Sequence, residues 1–418
     1  MSVHAPMSGE GTGPDEIGHQ GGRHRLAPGP GVPGVPGGGE RPAFAPGAVP
    51  ELLVGATAAA VYGWGVWAPS PWRDEAATMA ICRRSLDQIL AVTENVDLVH
   101  LAFYLLAHVA VTVHDSVTSV RLISVVSMAL AAAVVVRVGR RAGDTGTGAL
   151  AGCLVAVSPL ASRWAQDARP FALVTLVAVL STLALLRAVE RPSFPRWIVY
   201  GLGLVLLCLL NVLGLLLVSG HGTYLLLARR RALLPWAGAV VAVAGVSAPF
   251  LSPAFAQRGQ VSWIAPPTPS DLASLFILTF GTPAGLAAVG AAGLVLLGGL
   301  VVGRLRLPDG PRWSLLALGC AWGVVPASVL WGVSLVKPLW DLHYVIFSLP
   351  GVALAAAAAV RLATGVVSGR PIPDGVSGDV VHRLRVSTAV VLAAVPVAAT
   401  AAVSLPTHLA HRDPESGH

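Results

Sequence analysis

The stretch LLVGATAAAVYGWGVWAPSPWRDE, residues 52–75, decides how this chain is read. Its first part, Leu52 to Ala68, is an apolar run of the kind that enters a bilayer core of about 30 Å as a helix. It closes on two adjacent carboxylates, Asp74 and Glu75, at the mouth of that run. Similar runs recur along the chain. Only 12% of the 418 residues are charged, against about a quarter in a soluble domain. Mean hydropathy is +0.71. A segment in lipid must satisfy its backbone polar groups internally, so the runs are read as helices. The expected fold is all-α: a polytopic helical membrane protein with about eleven transmembrane helices, whose first outer loop carries surface-lying helices.

The expected spans are 52–68, 120–138, 148–162, 170–186, 197–210, 213–227, 234–255, 284–302, 313–336, 344–363 and 388–405. Residues 1–49 form a Gly/Pro-rich tail that cannot bury a core and is expected to be disordered and cytoplasmic. Residues 50–405 make the transmembrane domain, with an outer loop at 69–118, and 406–418 are a short polar tail. Within that loop, 74–93 is read as a helix lying on the membrane surface and 100–113 as a second surface-lying or re-entrant helix. A loop of about 28 residues is expected at 256–283.

The net charge of +7 comes almost wholly from Arg, clustered at alternate ends of the spans. That distribution sets membrane orientation. With the N-terminus in the cytoplasm, Arg137, Arg140 and Arg141, Arg187, Arg191 and Arg196, Arg229 to Arg231, and Arg304, Arg306 and Arg312 all fall inside. The Asp74–Glu75 pair and both long loops then face outside, at the cell membrane. Nucleic acid is not expected as a partner, because no compact basic domain with interleaved aromatics is present. The four Cys are far apart and form no CxxC, so neither a zinc site nor a disulfide framework is expected, and no metal or other cofactor is predicted.

Outward polar residues gather in four places. The first loop has Arg73, Asp74, Glu75, Asp97 and His100; the turn at 163–169 has Arg163, Gln166, Asp167 and Arg169. The long loop has Gln257, Arg258, Gln260 and Trp263, and the late turn has Lys337, Asp341, His343 and Tyr344. A carboxylate there is suited to take a proton from a hydroxyl, and an Arg to hold a phosphate. Plainer roles stand beside these. Asp74 could cap a helix, Asp167 could pair with a neighbouring Arg, and Trp72, Trp164 and Trp263 could be belt aromatics, with Trp263 also able to stack on a sugar. His108 and His221 are read as packing or hydrogen-bonding residues.

The order Trp72-x-Asp-Glu-Ala-x-Thr78, then Asp97 with His100 to Tyr104, Arg121, Ser158-Pro159, Ala165-Gln-Asp-Ala-Arg169 and a late aromatic turn before Pro350-Gly351 resembles the GT-C glycosyltransferases. Specifically, it resembles the bacterial family related to protein O-mannosyltransferases and lipid A aminoarabinose transferase. The resemblance covers residues 50 to 365. It implies an inverting enzyme that moves a hexose, mannose first among candidates, from a polyprenyl-phosphate carrier to a glycan, lipid or protein acceptor outside the cytoplasm. It implies Asp74 as the catalytic carboxylate with Glu75 beside it, and Arg169 and Gln166 near the carrier phosphate. Arg73, Asp97, His100, Tyr104, Asp167, Trp263, His343 and Tyr344 would line the substrate site. Two positions depart from the family: His343 stands where relatives carry Arg, and Asn211 where many carry His. The rival readings are a transporter or flippase, which needs polar residues deep in the spans, and a non-catalytic binder of lipid-linked sugars.

Overall fold

The computed structural model describes residues 48–257, 259, 263–281, 283–302 and 311–368. The expected disordered tail, the span 388–405 and the C-terminal tail lie outside these residues, as do Arg258 and Gln260. Helices occupy the other expected spans: α1 (Val49–Gly63), α5 (Val117–Ala142), α6 (Thr145–Ala156) with α7 (Pro159–Ala165), α8 (Phe171–Glu190) and α9 (Phe194–Leu210). They continue with α10 (Leu217–Ala228), α11 (Leu233–Ala256), α13 (Ala284–Val302), α14 (Pro311–Ser334) and α15 (Leu349–Ser368). Among the described residues, five segments are long and apolar enough to cross a membrane. A sixth crossing is added if α6 and α7, bent by 60° at Ser158-Pro159, form one broken span. Proline at the first position of α7 explains that break, since it cannot continue the ladder of α6.

The first loop carries α2 (Arg73–Cys82), α3 (Leu86–Thr93) and α4 (Leu101–Val113). Segment 74–93 is thus two helices rather than one. The second starts at Ser85, whose hydroxyl accepts from Gln88 N–H while the Gln88 side chain returns to Ser85 N–H. With 13 residues, α4 is about 20 Å long, too short to cross. Its first end lies by Leu210 at the close of α9, and its last end feeds α5. It therefore lies across one end of the bundle.

The stretch 256–283 is not the plain loop expected: it holds α12 (Pro269–Phe280). This helix has Pro269 at its first position, a reciprocal Thr268–Asp271 cap and Gly281 at φ 71 as its stop. It packs Leu275, Phe276 and Phe280 inward, against α7 and α15.

Charge separates the two ends of the bundle. At one end Glu51 meets Arg140 at 2.8 Å, Glu190 meets Arg141 at 2.6 Å, and Asp144 lies between Arg312 and Arg361. At the other end the starts of α2, α5, α8 and α15 gather with the ends of α1, α7, α9 and α11. The span interiors are less apolar than the sequence suggests. His221 on α10 lies 3.0 Å from Thr182 Oγ1 and 3.1 Å from the Tyr200 hydroxyl, which also accepts from Trp236 Nε1. This network is internally satisfied and bears out His221 as a hydrogen-bonding residue.

Helices α14 and α15 cross at glycines. A Cβ on Gly351 would lie 2.4 Å from Gly323 N, so the two backbones touch. Gly351→Ala is expected to cost about 1–3 kcal/mol by overpacking. It should lower the thermal midpoint in detergent and push out the turn that carries His343; an unchanged midpoint would show that the crossing relaxes freely.

Candidate active site

A buried ion pair organises the polar end. Arg121, at the start of α5, donates from Nε to Glu75 Oε1 at 2.7 Å and from Nη2 to Oε2 at 2.5 Å. Both side chains are buried, at 2% and 1% exposure. Arg121 Nη1 donates to the carbonyls of Val66 and Pro69, tying down the end of α1. Glu75 also accepts from Ala168 N–H at 2.8 Å and, more weakly, from Trp72 N–H at 3.4 Å. Both carboxylate oxygens are thus committed to protein donors, and Glu75 is held in place rather than offered to a ligand. The helix cap expected of Asp74 is made by Glu75 instead, at the third position of α2.

Asp74 projects differently. Its side chain is 38% exposed, and its nearest cation, Arg169 Nη2, lies 3.9 Å from Oδ2. Arg169 is 8% exposed, and its other contacts are long: Nη1 lies 3.4 Å from the Tyr104 hydroxyl and 3.5 Å from Thr78 Oγ1. Its buried Nε has no hydrogen-bond partner. The nearby Glu75 is taken by Arg121, so the carboxylates acting on Arg169 are Asp74, Asp97 and Asp167, and the one in ion-pair range, Asp74, is held at a long distance that leaves room for an anion to draw closer.

Around this pair, Tyr104 donates to Asp97 Oδ2 at 2.9 Å. Asp97 has φ 57, alone among the described non-glycine residues in being left-handed, a conformation that Asp tolerates better than most. His100 is buried against Tyr104 and Phe171, and burial with the Arg169 charge pushes its pKa down to about 3, so its ring is neutral. His343 stacks on Phe171 with centroids 4.4 Å apart, and its Nδ1 lies 2.8 Å from Asp341 Oδ1. Tyr344 stands next to it, 6.2 Å from Phe171.

Of the residues singled out from sequence, Asp74, Glu75, Asp97, His100, Tyr104, Asp167, Arg169, His343 and Tyr344 come together at this end. Gln166 is close by, but its amide donates to the carbonyls of Tyr62 and Trp64, so it clamps the end of α1. Arg73 is exposed and Trp263 is 71% exposed; neither shares a hydrogen bond or ring contact with the cluster among the described residues. Sequence reasoning had Trp72, Thr78 and Arg121 in the family motif but gave none of them a role in the site. Gln257, at the end of α11, clips the first loop by accepting from Leu98 N–H and donating to Thr93 and Glu94 carbonyls.

Asp167 does not pair with an Arg. Its Oδ1 accepts from Trp72 Nε1 at 2.8 Å, and Oδ2 is buried without a partner. Burial, then the Glu75 charge, raise its pKa from 3.8 to about 7. A carboxyl raised on folding favours the native state while protonated, and that contribution is lost as pH rises from 3.8 through about 7. Thermal stability of the wild type should therefore fall between pH 5 and pH 8. Asp167→Asn, which keeps an acceptor for Trp72, should flatten that fall; an equal fall in the variant would assign the pH dependence to other groups.

With this geometry in place, the chain can be compared with known proteins. Residues 100–252 match the family described as dolichyl-phosphate-mannose-protein mannosyltransferase. The fold is similar to that of ArnT from Cupriavidus metallidurans bound to undecaprenyl phosphate: TM-score 0.53, 14% identity, 87% of this chain and 76% of that one. It is also similar to the Archaeoglobus fulgidus oligosaccharyltransferase tethered to an acceptor peptide, with TM-score 0.53 and 12% identity over 88% of this chain and 56% of that one. No curated protein matches in sequence. The family match is confined to residues 100–252, and the likeness to these structures is one of fold. The matched segment holds Arg121, Gln166, Asp167 and Arg169, and it begins after Asp74 and Glu75.

Proposed function

We propose that the chain transfers a hexose from a polyprenyl-phosphate carrier to a hydroxyl acceptor, with inversion at the anomeric carbon. The observation that carries this reading is the Asp74–Arg169 pair: a part-exposed carboxylate 3.9 Å from a buried guanidinium whose Nε has no hydrogen-bond partner and whose other contacts are long. The carrier phosphate fits the anion that Arg169 lacks. The acceptor oxygen bonds to the anomeric carbon while the carbon–oxygen bond to phosphate breaks, and the electron pair leaves on the phosphate. Asp74 takes the acceptor proton, and Arg169 stabilises the departing charge. Glu75 holds Asp74 in position through Arg121 and takes no proton. Tyr104, His343 and Tyr344 form the wall around the phosphate, with His343 held by Asp341 where the family Arg would stand.

Mannose is the first candidate sugar, on the description of the matching family. The undecaprenyl phosphate bound by ArnT supports a polyprenyl carrier. The arginine-rich end of the bundle supports an N-terminus in the cytoplasm and a site on the outer face, with the eleven-span topology. Transfer of radiolabel from polyprenyl-phosphate mannose and other polyprenyl-phosphate hexoses, in membranes with and without the protein, tests the reading. Protein-dependent transfer from one of them is the expected result. Failure of all of them, together with carrier binding indifferent to Arg169→Ala, would overturn it.

A further inference from the structure

Asp74 and Arg169 do not close on each other. More solvated pairs in the same chain do: Arg83 meets Asp115 at 2.7 Å and Arg141 meets Glu190 at 2.6 Å. A charge-assisted bond settles at about 2.7–2.9 Å, and burial strengthens the attraction behind it. Yet Asp74 Oδ2 stays 3.9 Å from Arg169 Nη2. The contacts of Arg312 and Arg361 with Asp144 are also long, but that carboxylate is already held by Thr147. Among the described residues no such cap holds the carboxylate of Asp74.

The two residues are fixed from behind. Trp72, which stands before Asp74 at the start of α2, donates from Nε1 to Oδ1 of Asp167, which stands before Arg169, at 2.8 Å. Glu75, directly after Asp74, accepts at 2.8 Å from the N–H of Ala168, directly before Arg169. One tie would be a pivot; two set both the distance and the angle between the start of α2 and the turn that ends in Arg169. On α5, Ser124 Oγ donates to the Asp167 carbonyl at 2.6 Å and reaches that of Arg169 at 3.3 Å, which keeps the turn from sliding. The far side of the Arg169 guanidinium faces the Phe171 ring, 5.9 Å from its centroid. The two ties differ in what else they serve. The Glu75 tie belongs to the Arg121 pair that organises this end of the bundle, whereas the Trp72 indole spends its single N–H on this spacing.

We propose that Trp72 and Asp167 are positioning residues whose hydrogen bond holds Asp74 off Arg169, keeping the guanidinium open for a phosphate oxygen and the carboxylate open for the acceptor hydroxyl. The proposal rests on the transfer reading of the Asp74–Arg169 pair and deepens it. A base and a cation that close on each other neutralise both functions: the carboxylate becomes a weaker proton acceptor, and the guanidinium loses the donors that a phosphate needs. Holding them apart costs attraction in the empty site and returns it when the phosphate arrives. Neither Trp72 nor Asp167 touches a substrate on this account; both act through Asp74.

The test reads the spacing with and without a ligand, on the full chain in nanodiscs. Without ligand, Asp74→Asn alone should leave the thermal midpoint unchanged, because the pair is open. In Trp72→Phe the pair can close, so adding Asp74→Asn to it should lower the midpoint by about 2 °C or more. With undecaprenyl phosphate as the probe, Trp72→Phe should bind about tenfold more weakly than wild type, because Asp74 then occupies Arg169. That loss should vanish when Asp74→Asn is also present, since an amide has no charge to draw it onto the guanidinium. Asp167→Leu should repeat both results, and Asp167→Asn, which keeps an acceptor for the indole, should show neither. A bond that merely supports the fold would act alike with and without Asp74→Asn; that outcome would overturn the proposal, as would a Trp72→Phe that moves neither reading. Undecaprenyl phosphate binding that ignores Arg169→Ala would sink the transfer reading instead, and the midpoint cycle, which uses no ligand, stands apart from it.

Discussion

Asp74→Asn should lower sugar transfer by about 10²–10⁴-fold, the range that a positioned general base supplies. The substitution is nearly isosteric. The side chain is 38% exposed, and its closest cation is 3.9 Å away, so little native binding energy depends on its charge. The hydrogen bond from Thr78 to the Asp74 backbone carbonyl is untouched. The expected pattern is a thermal midpoint equal to wild type, undecaprenyl phosphate binding retained through Arg169, and a fall confined to the rate of transfer. A variant that transfers at the wild-type rate would remove Asp74 as the base.

The second large effect is on folding. Arg121→Met leaves Glu75 buried without its counter-charge, facing only the amides of Ala168 and Trp72, and removes the donors to Val66 and Pro69. Breaking one side of such a pair costs about 3–5 kcal/mol. Arg121→Lys should recover only part of that, because an ammonium cannot reach both carboxylate oxygens and two carbonyls at once. The double variant Glu75→Gln with Arg121→Met removes both charges and should be more stable than Arg121→Met alone. Chemical denaturation in detergent, with the double-variant cycle, measures this. If Arg121→Met were as stable as wild type, the pair would not organise this end of the bundle.

Hydropathy carries the bundle plainly. Each apolar run from 52–68 to 344–363 is mostly helical, and Ser158-Pro159 marks in sequence the place where α6 and α7 bend. The missed helix, α12, had its signals in the chain: Thr268-Pro269 with Asp271 as a start and Gly281 as a stop. Its apolar face is short and interrupted by Ser and Thr, so periodicity alone was weak. The candidate site was legible where its chemistry is local. Asp74 follows a span, and Arg169 closes a compact polar turn. It was not legible where partners are distant. Glu75 and Arg121 are 46 residues apart, and Gln257 binds Leu98 across 159. Glu75 and Asp74 look equivalent in sequence; only the position of Arg121 makes one structural and leaves the other free. Gln166 lies near the cluster, but its amide is spent on the end of α1, which no spacing rule announces.

The Glu75 pairing also sets an order on biogenesis. Glu75 is synthesised before either Arg121 or Ala168 exists, so the nascent first loop carries a carboxylate with no protein partner, which prefers water and keeps the loop at the surface of the translocation site. Once the segment through Arg169 is inserted, the carboxylate can leave solvent and the loop can dock. Gln257 can fasten it only after α11 has entered, and the Asp341–His343 turn arrives later still. The polar end is thus finished after most of the bundle is already in the bilayer, and a chain halted before Gln257 presents an unfastened, wet first loop to proteolysis.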